Sequence, residues 1–385
     1  MSHPKIDVGT YVAARPPLGS VDALVAAARD QQLDSVFVWD HLQDFVPAAI
    51  WDEQFAWFAA PGSSPHEPFE FQTVLGYLAA RAPGLRLGVG VTEPIRRHPV
   101  VLAQAALTLA HLSQRPPILG LGAGEREHSE PYGLDFSRPV GRLEEALQII
   151  RRCFESRGPF DFVGEHFRLR GAVLDLSAPE DRTPEIWVAA HGPRMLRLTG
   201  RYGDGWYPFG PVVASPDDYG SRLAVIRAAA RKAGRDPDTI TPALQALVVV
   251  SPTESEARAM LDAKAVRFFG LLLPAEVWRA FGLRHPLGDH FGGFVDLVPE
   301  AYDRPTVEAA IAAVPREMVE DRMVWGTPAQ VVARLRAFGE AGLRYVTPAV
   351  VSAAISPEAA SYAVRAIAEI AHALRSGEEP GTQAA

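Results

Sequence analysis

The chain of 385 residues is 48% hydrophobic and 22% charged, which is typical of a globular protein with a large core and excludes general disorder or a coiled coil. Its net charge of −8 argues against nucleic acids and anionic membrane surfaces as partners. A single cysteine, Cys153, excludes an internal disulfide. Without a signal peptide or a run of about 18 apolar residues, we expect a cytoplasmic protein with no integral membrane segment.

Short β-like runs alternate with helix-like runs along the whole chain. The predicted elements, in order, are strand 6–11, helix 20–32 with Ser20 as N-cap, strands 35–40 and 85–92, helix 98–112, strand 117–124, helix 142–154, hairpin 160–171, strand 185–190, a helix from Pro193, strand 203–209, helix 217–234, strand 242–250, a helix from about Thr253, helix 328–341 capped by Thr327, strand 343–351 and helix 356–375. Some eight strands alternating with helices predict a parallel sheet closed into a (β/α)₈ TIM barrel.

No Gly-, Ser- or Pro-rich linker divides residues 1–376, so we predict one domain, followed by a disordered tail at 377–385. Insertions near 41–84, 155–184 and 266–316 interrupt the alternation. The first and third are rich in aromatic residues, and loops this long are usually functional lids. The alternative is that these aromatic side chains build a second small core.

In a TIM barrel the site lies at the C-terminal ends of the strands. His41 follows the second predicted strand, and imidazole suits proton transfer near neutral pH. Glu125 ends the run GLGAGE at 120–125, whose glycines allow a flat ligand to approach the backbone. The GxGxG spacing is not the dinucleotide fingerprint GxGxxG. A solvated histidine and an exposed carboxylate in a tight turn are the alternatives.

The segment AAHGPRM, 189–195, ends a strand and begins a helix, where free backbone N–H groups favour an anion such as phosphate. A plain βα turn is the alternative. His285, Asp289 and His290 are ligand types without metal-site spacing, so we predict no metal. No GxSxG is present, which argues against a serine hydrolase. The residues favour a phosphorylated, planar cofactor beside a histidine and a glutamate, without naming it.

Several separated motifs resemble the luciferase-like superfamily of flavin and deazaflavin oxidoreductases over about residues 5–350. They include VTEPIRRHPVVLAQAALTLAHLS, LGLGAGEREHSEPYG, RPVGRLEEALQIIRRCF, VFVWDHL and WGTPAQVVARLRAFGEAGLRYV. GEREHSEPYG, EIWVAAHGPRMLRLTGRYGD and HPLGDHFGGFVDLVPE look closest to the F420-dependent branch and to the mycobacterial phthiodiolone dimycocerosate ketoreductases, which reduce a ketone on a very long lipid.

The resemblance implies coenzyme F420 at the strand ends, with FMN as the alternative. It implies His41 and Glu125 as the catalytic pair, and a non-proline cis peptide within 89–91. The implied cofactor neighbours are Asp40, Val89, Gly90, Val91, Thr92, Gly122, Gly124 and His128, with a phosphate loop of Ala189, Ala190, His191 and Gly192.

The aromatic insertions favour an apolar substrate. The predicted substrate contacts are Trp39, Trp51, Trp206 and Trp278. The run WYPFGPVV lacks the basic residues of the F420-dependent glucose-6-phosphate dehydrogenases. Trp39 stands where the lipid ketoreductases are expected to have a smaller residue, so it narrows the pocket.

The predicted function is a ketoreductase that transfers a hydride between C5 of F420 and a carbonyl carbon. His41 would exchange a proton with the oxygen, and Glu125 would manage the proton at the N1 side of the ring. As in many family members, a homodimer is expected. The alternatives are an FMN-dependent monooxygenase, a methylene-pterin reductase and a non-catalytic, cofactor-binding barrel.

Overall fold

Nine parallel strands form a nearly closed barrel in the computed structural model of the chain, which describes residues 3–155, 157–378 and 380. The strands are β1 (Asp7–Val8), β2 (Thr10–Val12), β3 (Ser35–Val38), β4 (Arg86–Thr92), β5 (Ile118–Leu121), β6 (Phe160–Val163), β7 (Arg168–Ala172), β8 (Glu185–Val188), β9 (Gly205–Trp206), β10 (Thr241–Val250), β11 (Val324–Gly326) and β12 (Tyr345–Val350). The strand order is β1-β12-β10-β9-β8-β5-β4-β3-β2, which confirms the predicted TIM barrel.

The helices mostly follow the strands. They are α1 (Leu18–Asp30), α2 (Phe71–Arg81), α3 (Pro99–Leu112), α4 (Pro139–Glu155), α5 (Pro193–Tyr202), α6 (Pro216–Lys232), α7 (Glu254–Met260), α8 (Lys264–Leu271), α9 (Ala275–Ala280), α10 (Arg304–Ala312), α11 (Arg316–Arg322), α12 (Pro328–Glu340) and α13 (Pro357–Ser376). Among the described residues, none of these helices combines the length and the apolar character needed to cross a bilayer.

The barrel closes at Gly9, which separates β1 from β2. β1 pairs with β12 and β2 pairs with β3, so the N-terminal segment passes from one neighbour to the other at this residue. A Cβ at Gly9 would lie 2.3 Å from Ser35 Oγ and 2.8 Å from Tyr345 Oη, so only glycine fits the seam. Tyr345 Oη bonds Ser35 Oγ at 2.5 Å and donates to Asp34 Oδ2 at 2.8 Å, which ties the two sides together.

Two apolar layers explain why the strands read as continuous hydrophobic runs. Inside the barrel, Phe37, Trp187, Tyr207 and Tyr345 pack ring against ring and are almost fully buried. A larger cluster fills the space between the strands and the surrounding helices. Parallel strands buried on both faces need apolar residues at every position, unlike the alternation of a half-exposed sheet.

The aromatic insertions build a second core. Phe55 of the first insertion packs edge-on against Phe268 of the third, with ring centroids 5.6 Å apart. This core also contains Leu247 and Val249 near the end of β10, and Val351 after β12. The third insertion is mostly helical, with α9 and α10 wholly inside it, and the alternative interpretation of a second small core therefore describes the packing found.

Smaller predictions had mixed outcomes. The hairpin at 160–171 is confirmed as antiparallel β6 and β7. Ser20 as an N-cap is wrong, because α1 begins at Leu18 after Pro17 and has no side-chain cap. At the other end, α13 ends on Gly377 in the left-handed conformation, φ 81°. Most of the predicted tail, 377–385, lies outside the described residues.

The cap of α12 provides a first test. Thr327 Oγ1 accepts from Gln330 N, and Gln330 Oε1 accepts from Thr327 N at 2.9 Å, a complete capping box. Thr327→Ala should lower the free energy of unfolding by about 1 kcal/mol, measured by urea denaturation. Thr327→Ser keeps the hydroxyl and should lose much less, and equal losses in the two variants would contradict the cap.

Candidate active site at the barrel mouth

Trp39, Asp40 and His41 directly follow β3 at the C-terminal end of the barrel. The His41 ring stacks on Trp39, with ring centroids 5.6 Å apart, and lies 4.5 Å from the ring of His128. His41 Nδ1 is buried and has no hydrogen-bond partner among the described residues. Burial, with the positive charge of Arg96, lowers the pKa of His41 to about 3, so the imidazole is neutral at physiological pH.

Asp40 is the centre of a buried ion network. Its Oδ2 accepts from Thr92 Oγ1 at 2.6 Å and from Arg97 Nη1 at 2.7 Å, and lies 2.9 Å from Arg96 Nη2. Burial raises the pKa of Asp40, and the two guanidinium groups oppose that rise. Asp40 is 3% exposed and its Oδ2 has three partners, and its contact with a cofactor stays a prediction. It fixes the end of β3 to the loop after β4.

The cis peptide lies between Gly90 and Val91, inside the segment in which the resemblance implied it. At the same place the register of β4 against β5 shifts between Val89 and Thr92. A Cβ at Gly90 would lie 2.3 Å from Tyr11 Oη, so a side chain does not fit there. A Cβ at Gly122 would come within 3.0 Å of Val91 Cγ2, which shows how closely these strand ends approach.

Glu125, Glu127 and His128 follow β5. His128 Nε2 lies 3.1 Å from Glu127 Oε1 and 3.5 Å from Glu125 Oε2. Burial raises the pKa of Glu125 to about 7, opposed by Arg96, and raises that of Glu127 well above its ordinary value. Burial also lowers the pKa of His128, reinforced by the neighbouring His41.

The structure brings the predicted pair His41 and Glu125 together. One side-chain donor atom from each of four residues lies within 4.8 Å of the other three; these residues are His41, Glu125, Glu127 and His128. The sequence analysis missed Glu127 as well as Arg96, whose charge reaches all four residues. No short motif marks Glu127 by itself as a site residue. Gln43 Nε2 donates to the Glu127 carbonyl at 2.7 Å, and Gln43 belongs to a distant loop.

The residues of the predicted phosphate loop differ in their surroundings: Gly192 is exposed, whereas His191 makes hydrogen bonds within the fold. Gly192 is the N-cap of α5, it is exposed, and no side chain caps the helix there. His191 is a support, since its Nε2 accepts from Phe209 N at 3.0 Å and its carbonyl accepts from Arg222 Nη1 at 2.9 Å. Burial and Arg222 lower the pKa of His191 to about 4. Ala190 is fully buried, whereas Ala189 is half-buried.

Two of the four predicted substrate tryptophans are fully buried, and their contact with a substrate stays a prediction. Trp206 is 0% exposed and packs 4.6 Å from Tyr219 in the helix layer. Trp278 is 1% exposed in the second core. A strand-end position does not say to which face a side chain points, and here both indoles point into cores. Trp39 and Trp51 are half-buried.

An aromatic wall, made by Phe45, Phe209, Phe269 and Phe294, lies next to His41. The ring centroid of Phe45 lies 6.1 Å from that of His41, 5.6 Å from that of Phe269 and 5.0 Å from that of Phe294. Phe209, after β9, is 5.7 Å from Phe294. All four rings are half-buried, so together they offer an apolar surface beside the histidine.

A cavity of about 310 Å³ lies elsewhere, between α2 and α3 and over the outer faces of β4 and β5. It is lined mainly by aliphatic side chains such as Leu75, Leu102 and Leu119. Of the predicted site residues it touches Val89 alone among those described. It therefore has no part in the acid–base cluster at the barrel mouth.

The comparisons with known proteins agree with the fold. A family model described as luciferase-like monooxygenase matches residues 5–345. The phthiodiolone/phenolphthiodiolone dimycocerosates ketoreductase of Mycobacterium bovis is 41% identical over 337 residues, covering 86% of this chain and 87% of the relative. A 5,10-methylenetetrahydromethanopterin reductase of Archaeoglobus fulgidus is 29% identical over 287 residues, covering 74% and 82%.

A solved structure is also similar. It is an F420-dependent secondary alcohol dehydrogenase in complex with an F420–acetone adduct, with a TM-score of 0.74. The match covers 96% of this chain and 99% of that chain at 20% identity. At this identity the likeness concerns the fold.

The ion network at Asp40 gives a second test. Asp40→Ala removes the shared partner of Arg96 and Arg97, and should lower the free energy of unfolding by about 3–5 kcal/mol in urea denaturation. The control is Glu165→Gln, which breaks an exposed pair with Arg138 and should cost less than about 1 kcal/mol. Similar losses of unfolding free energy in both variants would show that the buried network stabilises the protein no more than an exposed ion pair does.

Proposed function

The chain belongs to the luciferase-like monooxygenase family and is an oxidoreductase, and on this premise we propose that it is an F420-dependent reductase of an apolar ketone. The observation that carries the proposal is the meeting of neutral His41 and titratable Glu125 at the barrel mouth, beside an aromatic wall. The 41% identity to a ketoreductase supports the reaction class.

The residues present fit a flat cofactor that carries phosphate. A Cβ at Gly122 would lie 3.0 Å from Val91 Cγ2 and one at Gly90 would lie 2.3 Å from Tyr11 Oη, so only glycine leaves the ends of β4 and β5 free of side chains at these places. The uncapped, exposed start of α5 at Gly192 suits a phosphate group. F420, when bound, supplies a hydride from C5 of its deazaflavin to the carbonyl carbon.

The two acid–base residues have different tasks in this proposal. A hydride added to a carbonyl carbon leaves an oxygen that must gain a proton. His41 is neutral, so it donates an N–H hydrogen bond that polarises and orients the carbonyl. Glu125, with a pKa of about 7, would donate the proton that this oxygen gains, instead of serving the N1 side of the ring as the sequence analysis expected. Opposite pKa shifts in one buried site are a usual way of dividing such tasks.

The substrate surface supports an apolar ketone. The aromatic wall of Phe45, Phe209, Phe269 and Phe294 reaches His41 through Phe45, whose ring centroid lies 6.1 Å from that of His41. Aromatic surfaces gain free energy from burying apolar groups, whereas a sugar phosphate would need fixed cations. The indole of Trp39 lies directly on His41, so we propose that it limits the width of the substrate next to the carbonyl.

A binding titration tests the cofactor. The purified protein is titrated with oxidised F420 and separately with FMN, and fluorescence is followed. We expect micromolar binding of F420 and weak binding of FMN. A preference for FMN, with oxygen consumption, would favour the monooxygenase that the family description names. Binding of neither cofactor would favour a non-catalytic barrel. Reduction of a methylene-pterin in place of ketones would favour a methylene-pterin reductase.

Removal of the histidine should be costly. His41→Ala is expected to lower kcat/KM for ketone reduction with reduced F420 by about 10²–10³, the range for a lost hydrogen-bond donor to a developing oxyanion. His111→Ala is the control, because His111 is an exposed residue of α3 that contacts the Ser177 carbonyl. Unchanged turnover in His41→Ala would refute the assigned role.

The pH dependence tests Glu125. Its raised pKa keeps the carboxyl protonated below about pH 7 and ionised above. Ketone reduction needs the protonated form, so kcat/KM should be level below pH 7 and fall about tenfold per pH unit above it. For alcohol oxidation, kcat/KM should instead rise with pH up to about pH 7 and be level above it, because that direction needs the ionised form. Glu125→Gln should abolish the limb near pH 7; a profile that keeps it would assign that titration to another group.

The homodimer and the cytoplasmic location stay predictions, as do the lid roles of the insertions. They affect neither the acid–base pair nor the cofactor surface proposed above.

A further inference from the structure

Four side chains of metal-ligand type, His41, Glu125, Glu127 and His128, form a compact cluster. The proposed ketone reduction uses only His41 and Glu125. His128 Nε2 lies 3.1 Å from Glu127 Oε1 and 3.5 Å from Glu125 Oε2. Donor atoms around a tetrahedral zinc ion, with bonds of about 2.0–2.1 Å, are roughly 3.3 Å apart. All four residues, His41 included, present a donor atom within 4.8 Å of the others.

Buried atoms without partners point to a ligand. Five buried atoms of the cluster form no hydrogen bond of good geometry with the described residues, although His128 Nε2 and Glu127 Oε1 lie 3.1 Å apart; these atoms are His41 Nδ1, both carboxylate oxygens of Glu127, and both ring nitrogens of His128. Glu127 is 0% exposed and His128 is 1% exposed. Buried polar groups in folded proteins are nearly always paired, and a group left unpaired suggests an ion or a water at that place.

The local charge also favours a cation. Burial raises the pKa of both Glu125 and Glu127, so these two carboxyl groups lack a cation that stabilises their ionised form. Arg96 does not neutralise Glu125 and Glu127 by direct pairing, because its guanidinium bonds Asp40 and Glu93. A divalent cation would take the place of the protons on these two carboxyl groups.

We propose that His41, Glu125, Glu127 and His128 form a binding site for a borderline divalent cation of the zinc type. Two neutral imidazoles and two carboxylates are a suitable donor set for Zn²⁺ or Co²⁺, and together they give an uncharged complex. Because His41 and Glu125 belong to the set, the bound cation blocks the acid–base pair and acts as a reversible inhibitor. Only this inhibition rests on the proposed function; the binding itself does not.

The binding test uses untagged protein, treated with a chelator and dialysed. Titration with Co²⁺ should give the visible absorption of four-coordinate cobalt, saturating at one ion per chain, and Zn²⁺ should abolish it. His128→Gln and Glu127→Gln should each weaken binding at least tenfold, and the exposed control His111→Gln should not. Circular dichroism and thermal unfolding identify a variant that fails to fold, and the other variant then decides.

The inhibition test adds Zn²⁺ to ketone reduction and then removes it with EDTA. Loss of activity that EDTA restores, with saturation at the concentration that displaces Co²⁺, would support the inhibitory site. No cobalt spectrum, or one unchanged in both ligand variants, would overturn the site. Stoichiometric binding without inhibition would overturn the inhibitory role alone. If the protein reduces no ketone, the proposed function fails, and the cobalt titration still decides the metal site.

Discussion

The guanidinium of Arg96 is the fixed charge around which the barrel mouth is arranged. It donates to the Asp40 carbonyl at 2.7 Å and pairs with the Asp40 and Glu93 carboxylates, so it ties the end of β3 to the loop after β4. The same charge opposes the rise in the pKa of Glu125 and helps to lower that of His41. A single buried cation thus serves both the local structure and the acid–base properties of the site.

Burial is the larger of the two influences on this site. It moves the pKa of the carboxyl up and the pKa of the imidazole down, because each group loses the water that stabilises its charged form. The result is a carboxyl that titrates near neutral pH beside an imidazole that stays neutral. The insertions contribute to this burial, since the aromatic wall and the second core cover residues after β3, β9 and β10.

Glycines allow the strands of the barrel to pack closely where they close the sheet and where they end. Gly9 allows the barrel to close, and Gly90 and Gly122 allow β4 and β5 to approach Tyr11 and Val91. The aromatic interior formed by Phe37, Trp187 and Tyr207 fills the barrel below. The acid–base cluster and the aromatic wall therefore lie above this filled interior, at the mouth of the barrel.

The sequence by itself determined the alternation of strands and helices, the Thr327 cap and the strand-end position of His41 and Glu125, because these depend on local patterns or on motifs within one segment. The segment of the cis peptide came from the family resemblance. Tertiary structure alone decided that Trp206 and Trp278 point into cores, and that Asp40 is engaged by two arginines. It also decided that Glu127 and Arg96 join the site. These facts depend on which distant segments pack together, and no local pattern in one sequence encodes that packing.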